Sequence, residues 1–149
     1  MKQIWEYLKL VIIAIIIIVP IRLWIAQPFI VSGASMEPTF ETGDYLIIDE
    51  FTYHLEKPKK GDVIVFRYPL DTSKFFIKRI EGLPGETVNY EDREITLKDN
   101  QYFVMGDNRP ASSDSRMWGP VEENLIIGRA LVRLWPITKL DLLPGEINN

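Results

Sequence analysis

The stretch FFIKRIEGLPGETVNYEDREITLKDNQYFVM, residues 75–105, carries the reading of the fold. Short β-branched and aromatic runs at 75–81, 86–90, 94–97 and 102–105 alternate with turn formers, Pro84-Gly85 and Asp99-Asn100 among them. Runs this short, bounded by glycine, proline, asparagine and aspartate and lacking a 3.6-residue period, read as strands. Glu91-Asp92, between two of them, predicts a hairpin.

The same grammar extends outward to 29–31, 45–51, 62–67 and 126–134. No long amphipathic segment follows Pro28, so helices there are expected to be one-turn pieces. No internal repeat or low-complexity tract is present. The spacing predicts a mainly β catalytic domain over residues 27–149, an antiparallel sandwich or irregular barrel.

The front of the chain follows another rule. Every residue from Leu10 to Ile21 is apolar, and the run extends to 8–26 if Lys9 and Arg22 are admitted. Roughly 19 residues at about 1.5 Å each reach about 28 Å, close to the thickness of a bilayer core. Lys9 and Arg22 lie where long side chains snorkel to headgroups, and Trp5, Tyr7 and Trp24 where interfacial aromatics sit. The expectation is one transmembrane helix at 8–26 after a cytoplasmic N-terminus, 1–7. Lys2 and Lys9 favour that orientation and Arg22 weakly opposes it. A buried core helix would show a polar face, and Val11–Val19 shows none. A cleavable signal peptide would place its small-residue site nearer the apolar core than Ser32-Gly33-Ala34.

With 149 residues, 46% hydrophobic and 26% charged, the chain suits one folded domain. A net charge of -4 offers no basic footprint, which argues against nucleic acid as a partner. The absence of cysteine excludes disulfides, a thiol nucleophile and a thiolate metal site. A single histidine, His54, excludes a multi-histidine metal centre. It stands in a polar stretch before Lys57-Pro58-Lys59-Lys60 and reads as a surface residue.

Three segments carry the candidate chemistry. In Ser32-Gly33-Ala34-Ser35-Met36-Glu37-Pro38-Thr39, small residues let a backbone approach closely and Pro38 stiffens the exit. Ser35 there reads as a nucleophile or as an ordinary loop serine. Lys78 shares a face with Phe76 and Ile80 on an apolar strand. If that face is dry, desolvation lowers the lysine pKa into the range of a base; if it is wet, Lys78 is a surface cation. Residues 105–116 crowd hydroxyls, carboxylates and guanidinium groups, with Asp114 and Arg116 placed to pair. Alone, that segment is equally a polar surface turn.

Taken in order, SGASMEPT at 32–39, GDVIVFRYP at 61–69, FIKRIEGLPGE at 76–86, GDNRPASSDSR at 106–116 and Gly-Arg-Ala at 128–130 resemble the type I signal peptidases. These are membrane-bound Ser-Lys proteases that release exported proteins from their signal peptides. The resemblance implies Ser35 as nucleophile, Lys78 as general base and Ser112 as the hydroxyl that orients the lysine amine. It implies Asp114 and Arg116 as a supporting ion pair, with Asp107 and Asn108 shaping the same loop. Strands 61–67 and 29–34 would frame the substrate. Phe29, Val31, Met36, Phe76 and Ile77 would line shallow pockets for small residues at the first and third positions before the cut, although each reads equally well as core. Gly33 stands where some members carry an oxyanion-hole serine, so the oxyanion site implied is Ser35 with Gly33, the Ser35 N–H as main donor and the second donor open. The short chain resembles the compact Gram-positive-like form. No metal or cofactor is implied. The implied partners are preproteins and the lipid bilayer of the cell membrane, with the catalytic domain on its outer face. The alternatives are a self-cleaving repressor, disfavoured by the apolar N-terminus, and a silent homologue that binds signal peptides, disfavoured by the presence of both serine and lysine.

Overall fold

The computed structural model describes residues 2–24 and 26–146. Helix α1, Lys2–Trp24, precedes a run of short strands: β1, Ala26–Ile30; β2, Tyr45–Asp49; β3, Val63–Tyr68; β4, Asp71–Gly82; β5, Thr87–Tyr90; β6, Arg93–Thr96; β7, Gln101–Met105; β8, Val121–Glu122; β9, Ile126–Trp135; and β10, Asp141–Leu142. The expected one-turn helices are α2, Thr52–Leu55, and α3, Ser115–Trp118.

Every strand pair is antiparallel. One eight-stranded sheet runs β1-β2-β9-β3-β4-β7-β8 with β10 on the side of β9, and the order does not return on itself among the described strands. β5 and β6 form a separate hairpin around Glu91-Asp92, as the turn residues predict.

β3 explains where the core sits. Val63, Ile64, Val65 and Phe66 are all buried, and successive side chains of a strand point to opposite faces. Val63 and Val65 join Val31, Met36, Phe40, Leu46, Ile48 and Ala130 in one cluster. Ile64 and Phe66 join Ile80, Tyr102, Val104 and Val121 in another. A strand apolar on both faces therefore separates two cores.

Some boundaries differ from the sequence reading for local reasons. β2 stops at Asp49 instead of reaching Phe51. The Asp49 carboxylate accepts the N–H groups of Phe51 and Thr52, each at 3.0 Å, and turns the chain into α2. β4 begins at Asp71, before the expected Phe75, because polar Thr72, Ser73 and Lys74 hide a strand whose outer edge is exposed. β8 and β10 have two residues each and are too short to leave a periodic signal.

The described side chains of α1, residues 4–17, are exposed, a run of isoleucines included. Among the described residues no helix is long and apolar enough to cross a membrane. Residue 25 of the expected anchor 8–26 lies outside the described residues, as do the side chains of 18–24 and 26.

Candidate active site

The loop that carries Ser35 leaves β1 and folds into a tight turn. The N–H groups of Glu37 and Phe40 donate to the carbonyls of Ala34 and Met36 at 3.2 and 2.9 Å. Val31 and Gly43 tie the base of the loop together through Val31 N–H to Asp44 O and Gly43 N–H to Val31 O, each 2.9 Å. Met36 and Phe40 plug it into the first core. Ser35 is left half-buried at the rim.

Lys78 reaches Ser35 from β4. Its Nζ lies 2.7 Å from Ser35 Oγ and donates to the Ile77 carbonyl at 2.9 Å. The residue is 4% exposed, and the amine stands 5.4 Å from the centre of the Phe76 ring. Burial lowers the lysine pKa from 10.5 to about 8, against the opposing pull of the Asp114 and Asp107 charges. No carboxylate is in ion-pair contact with the amine among the described residues.

The third segment packs behind this pair as two rigid carboxylate clusters. Asp114, fully buried, caps α3. Its carboxylate accepts from Arg116 Nε at 2.7 Å, Arg116 Nη2 at 3.0 Å, Ser112 Oγ at 2.6 Å and the Gly106 N–H at 3.0 Å. Burial pushes this carboxyl up, but those donors outweigh it and hold it below the usual carboxylate range. Asp107 accepts from Arg79 Nε and Nη2 at 2.8 and 2.7 Å and from Thr39 Oγ1 at 2.6 Å. Here too burial raises the pKa, and the Arg79 and Thr39 hydrogen bonds with the Arg79 and Arg109 charges bring it below the usual range.

Asn108 grips the nucleophile loop directly. Its N–H donates to the Ser35 carbonyl and its Nδ2 to the Ala34 carbonyl, each at 3.0 Å. Gly106 lets the two loops touch, because a Cβ there would collide with Ser112 Oγ and the Ser35 carbonyl.

A cleft of about 470 Å³ opens beside Ser35 and Lys78. Its apolar wall is formed by Phe29, Val31, Leu46, Val65, Phe76 and Ile77, and Ser32 and Ser113 add hydroxyls at its edge. β4 pairs with β7 only from Arg79 onward, so its outer edge is free along Lys74–Ile77. β1 pairs only with β2. Among the described residues, two unpaired strand edges thus flank the cleft.

Four expectations need correction. Met36 does not line the cleft: it is 0% exposed in the first core, because it is the residue that plugs the Ser35 turn. Ser112 makes no hydrogen bond to Lys78 among the described residues, since its hydroxyl is drawn to the Asp114 carboxylate. The Gly33 N–H is not free to serve an oxyanion, because it donates to Thr42 Oγ1 at 3.0 Å. Strand 61–67 cannot frame a peptide with its backbone, because β3 lies between β4 and β9 and pairs with both. The free edge of β4 occupies that place. Arg79 and Thr39, the partners of Asp107, went unrecognised in the sequence. Their only signals were the place of Arg79 next to Lys78 and of Thr39 at the end of the 32–39 segment.

A family model described as "Signal peptidase, peptidase S26" matches residues 4–101 and 93–135. The chain is 36% identical to "Probable signal peptidase I-2" of Synechocystis sp., over 93% of this chain and 76% of that protein. It is 34% identical to "Signal peptidase I" of Leptolyngbya laminosa, over 91% and 81%. It is 38% identical to "Mitochondrial inner membrane protease subunit 1" of Xenopus tropicalis, over 84% and 78%. A solved signal peptidase I from Enterococcus faecalis V583 shares 29% identity at a TM-score of 0.45, covering 50% of this chain and 97% of that one, too partial a likeness to bear on the fold.

Proposed function

The chain belongs to the type I signal peptidases of peptidase family S26, and on that premise we propose that it cuts signal peptides from exported preproteins with Ser35 as nucleophile and Lys78 as general base. The observation that carries this reading is the 2.7 Å separation of Lys78 Nζ and Ser35 Oγ, with the amine buried and free of a carboxylate. A lysine in that setting loses its proton near pH 8 and can then accept one.

In the proposed reaction the neutral amine takes the Ser35 proton as Oγ attacks the scissile carbonyl carbon. The same proton passes to the departing amine, and the signal peptide remains as an ester on Ser35. Lys78 next takes a proton from water as its oxygen attacks the ester carbonyl carbon, then passes that proton to the departing Ser35 Oγ, which releases the signal peptide as an acid and restores both side chains. The Ser35 N–H has no hydrogen-bond partner among the described residues and would donate to the oxyanion. Ser112 acts through Asp114: by occupying that carboxylate together with Arg116, it keeps a counter-charge from pinning Lys78 in its protonated form. Asn108 holds the Ser35 main chain in place, and Asp107 fixes the loop through Thr39 and Arg79.

The preprotein would bind extended, adding its backbone to the free edges of β1 and β4. Phe29, Val31, Phe76 and Ile77 then face its side chains, and the shallow apolar wall favours small residues before the cut. The apolar stretch 8–26, part of which lies outside the described residues, would serve as a single-pass anchor in the cell membrane, with the exposed isoleucines of α1 in lipid, the N-terminus in the cytoplasm and the β domain outside. Incubation with a labelled preprotein, followed by mapping of the new N-terminus, tests the reading. The expected product begins just after a small residue, and Ser35→Ala should yield none. Undiminished cleavage by Ser35→Ala would remove the proposed nucleophile.

A further inference from the structure

Arg79 plays no part in the chemistry above, yet all three nitrogens of its buried guanidinium are engaged. Two hold Asp107, and Nη1 donates to the Gly61 carbonyl at 2.8 Å and to the Gly145 carbonyl. Gly145 lies near the far end of the chain, in a turn that follows β10. Asp141 and Leu142 pair with Arg133 and Val132, the Leu143 N–H donates to the Leu131 carbonyl at 2.7 Å, and the Glu146 N–H donates to the Leu143 carbonyl at 3.0 Å. Gly145 has a φ of +82°, a conformation that other residues rarely adopt. A Cβ there would come within 2.8 Å of Thr39 Cγ2 and within 3.2 Å of Arg79 Nη2 and of Val63 Cγ2.

The same segment grips the nucleophile loop a second time. Lys139 Nζ donates to Glu41 Oε1 at 2.6 Å. Arg133 donates through Nε to the Lys139 carbonyl at 2.9 Å and through Nη1 to the Thr39 carbonyl at 2.7 Å. Residues 139–146 therefore reach Glu41 directly and Thr39 through Arg133 on one side, and meet Arg79 on the other. Thr39 and Arg79 are the two side chains that hold Asp107, and the next residue, Asn108, holds the Ser35 carbonyl. Arg79 also directly follows Lys78 on β4, so a shift of one moves the backbone of the other.

We propose that residues 139–146 form a positioning strap for the active site, with Gly145 at its point of closest contact: by fixing Thr39 and Arg79 from behind, the strap sets the distance between Ser35 Oγ and Lys78 Nζ. The inference rests on the assignment of Ser35 and Lys78 as the reacting pair. A displacement of about 1 Å at a distance from the chemistry can cost on the order of 10²-fold in rate. The strap thus adds to the site a part of the chain with no residue in the cleft.

The test uses the full chain in lipid or detergent, with preprotein cleavage measured per folded molecule and folding followed by thermal denaturation. Gly145→Val is expected to lower kcat by about 10- to 100-fold with KM changed less than about twofold. It should also move the rise of rate with pH upward, as water reaches Lys78. Gly145→Ala should do the same to a smaller extent. Adding Thr39→Ser, which removes the crowded methyl and keeps the hydroxyl on Asp107, should recover part of the loss. The proposal is overturned if folded Gly145→Ala and Gly145→Val keep the parent kcat and pH profile, or if activity falls only in step with the folded fraction. Ser35→Ala run in parallel separates the two ideas: if it stays active the reacting pair is wrong, whereas if it is dead and the Gly145 variants are normal, only the strap falls.

Discussion

Lys78 and Arg79 are neighbouring cations on one strand, 4% and 6% exposed, and they live in opposite electrostatic worlds. Strand alternation turns them to opposite faces. Arg79 meets the Asp107 carboxylate through two parallel hydrogen bonds and spends its remaining donors on main-chain carbonyls. Lys78 meets a hydroxyl and a carbonyl. Equal burial thus produces a permanently paired charge in one case and a readily deprotonated amine in the other. At similar depth, two things separate the structural cation from the candidate base: a guanidinium keeps its proton in any surroundings, and the buried amine has no carboxylate to hold its own.

The contrast can be broken most directly by removing each cation in turn. Arg79→Ala should cost about 3–5 kcal/mol of folding stability, because it strands a buried carboxylate. Lys78→Met should leave stability within about 1 kcal/mol of the parent, since it replaces a poorly solvated charge by an apolar chain of similar length. It should nevertheless lower cleavage by on the order of 10⁴-fold or more. Chemical denaturation beside preprotein kinetics reads both quantities, and equal losses of stability would dissolve the distinction.

Ser112→Ala sharpens the comparison. It takes one donor from Asp114 and leaves Lys78 its direct contacts, so kcat should fall by about 10- to 100-fold, less than for loss of the base itself. A rate unchanged within twofold would show that Asp114 needs no help in staying clear of the amine.

Acidity is the next lever. A base works only when neutral, and burial brings Lys78 to about 8, so kcat/KM should rise about tenfold per pH unit below that value and level off above it. A limb set near the pKa of free lysine would place the amine in water. The smallest effect is expected at His54, exposed on α2 and hydrogen-bonded through Nδ1 to the Glu50 carbonyl. His54→Ala should change the rate less than about twofold at every pH, and a lost limb would transfer the role of base to the imidazole.

Much of this was legible in one dimension. Turn residues at 84–85, 91–92 and 99–100 mark strand ends because their preferences act within a few residues, and β5–β6 forms around Glu91-Asp92 accordingly. The first residues of β4 are hidden in the sequence because Thr72, Ser73 and Lys74 hydrate an unpaired edge and so lack the apolar signature of a strand. Motif position leaves Met36 equally a pocket or a core residue, and the turn directs it into the core.

By itself, then, the sequence determined the mainly β character of the domain, the apolar N-terminal helix and the residue types available for chemistry, because periodicity, turn preference and composition are local properties. Only the tertiary structure decided which of two adjacent cations meets a carboxylate, that Ser112 turns to Asp114, that Gly33 spends its N–H on Thr42, and that Gly145 lies against Arg79. Contacts such as Ser35 with Lys78, 43 residues apart, depend on strand register and loop packing, and no window along the chain contains both partners.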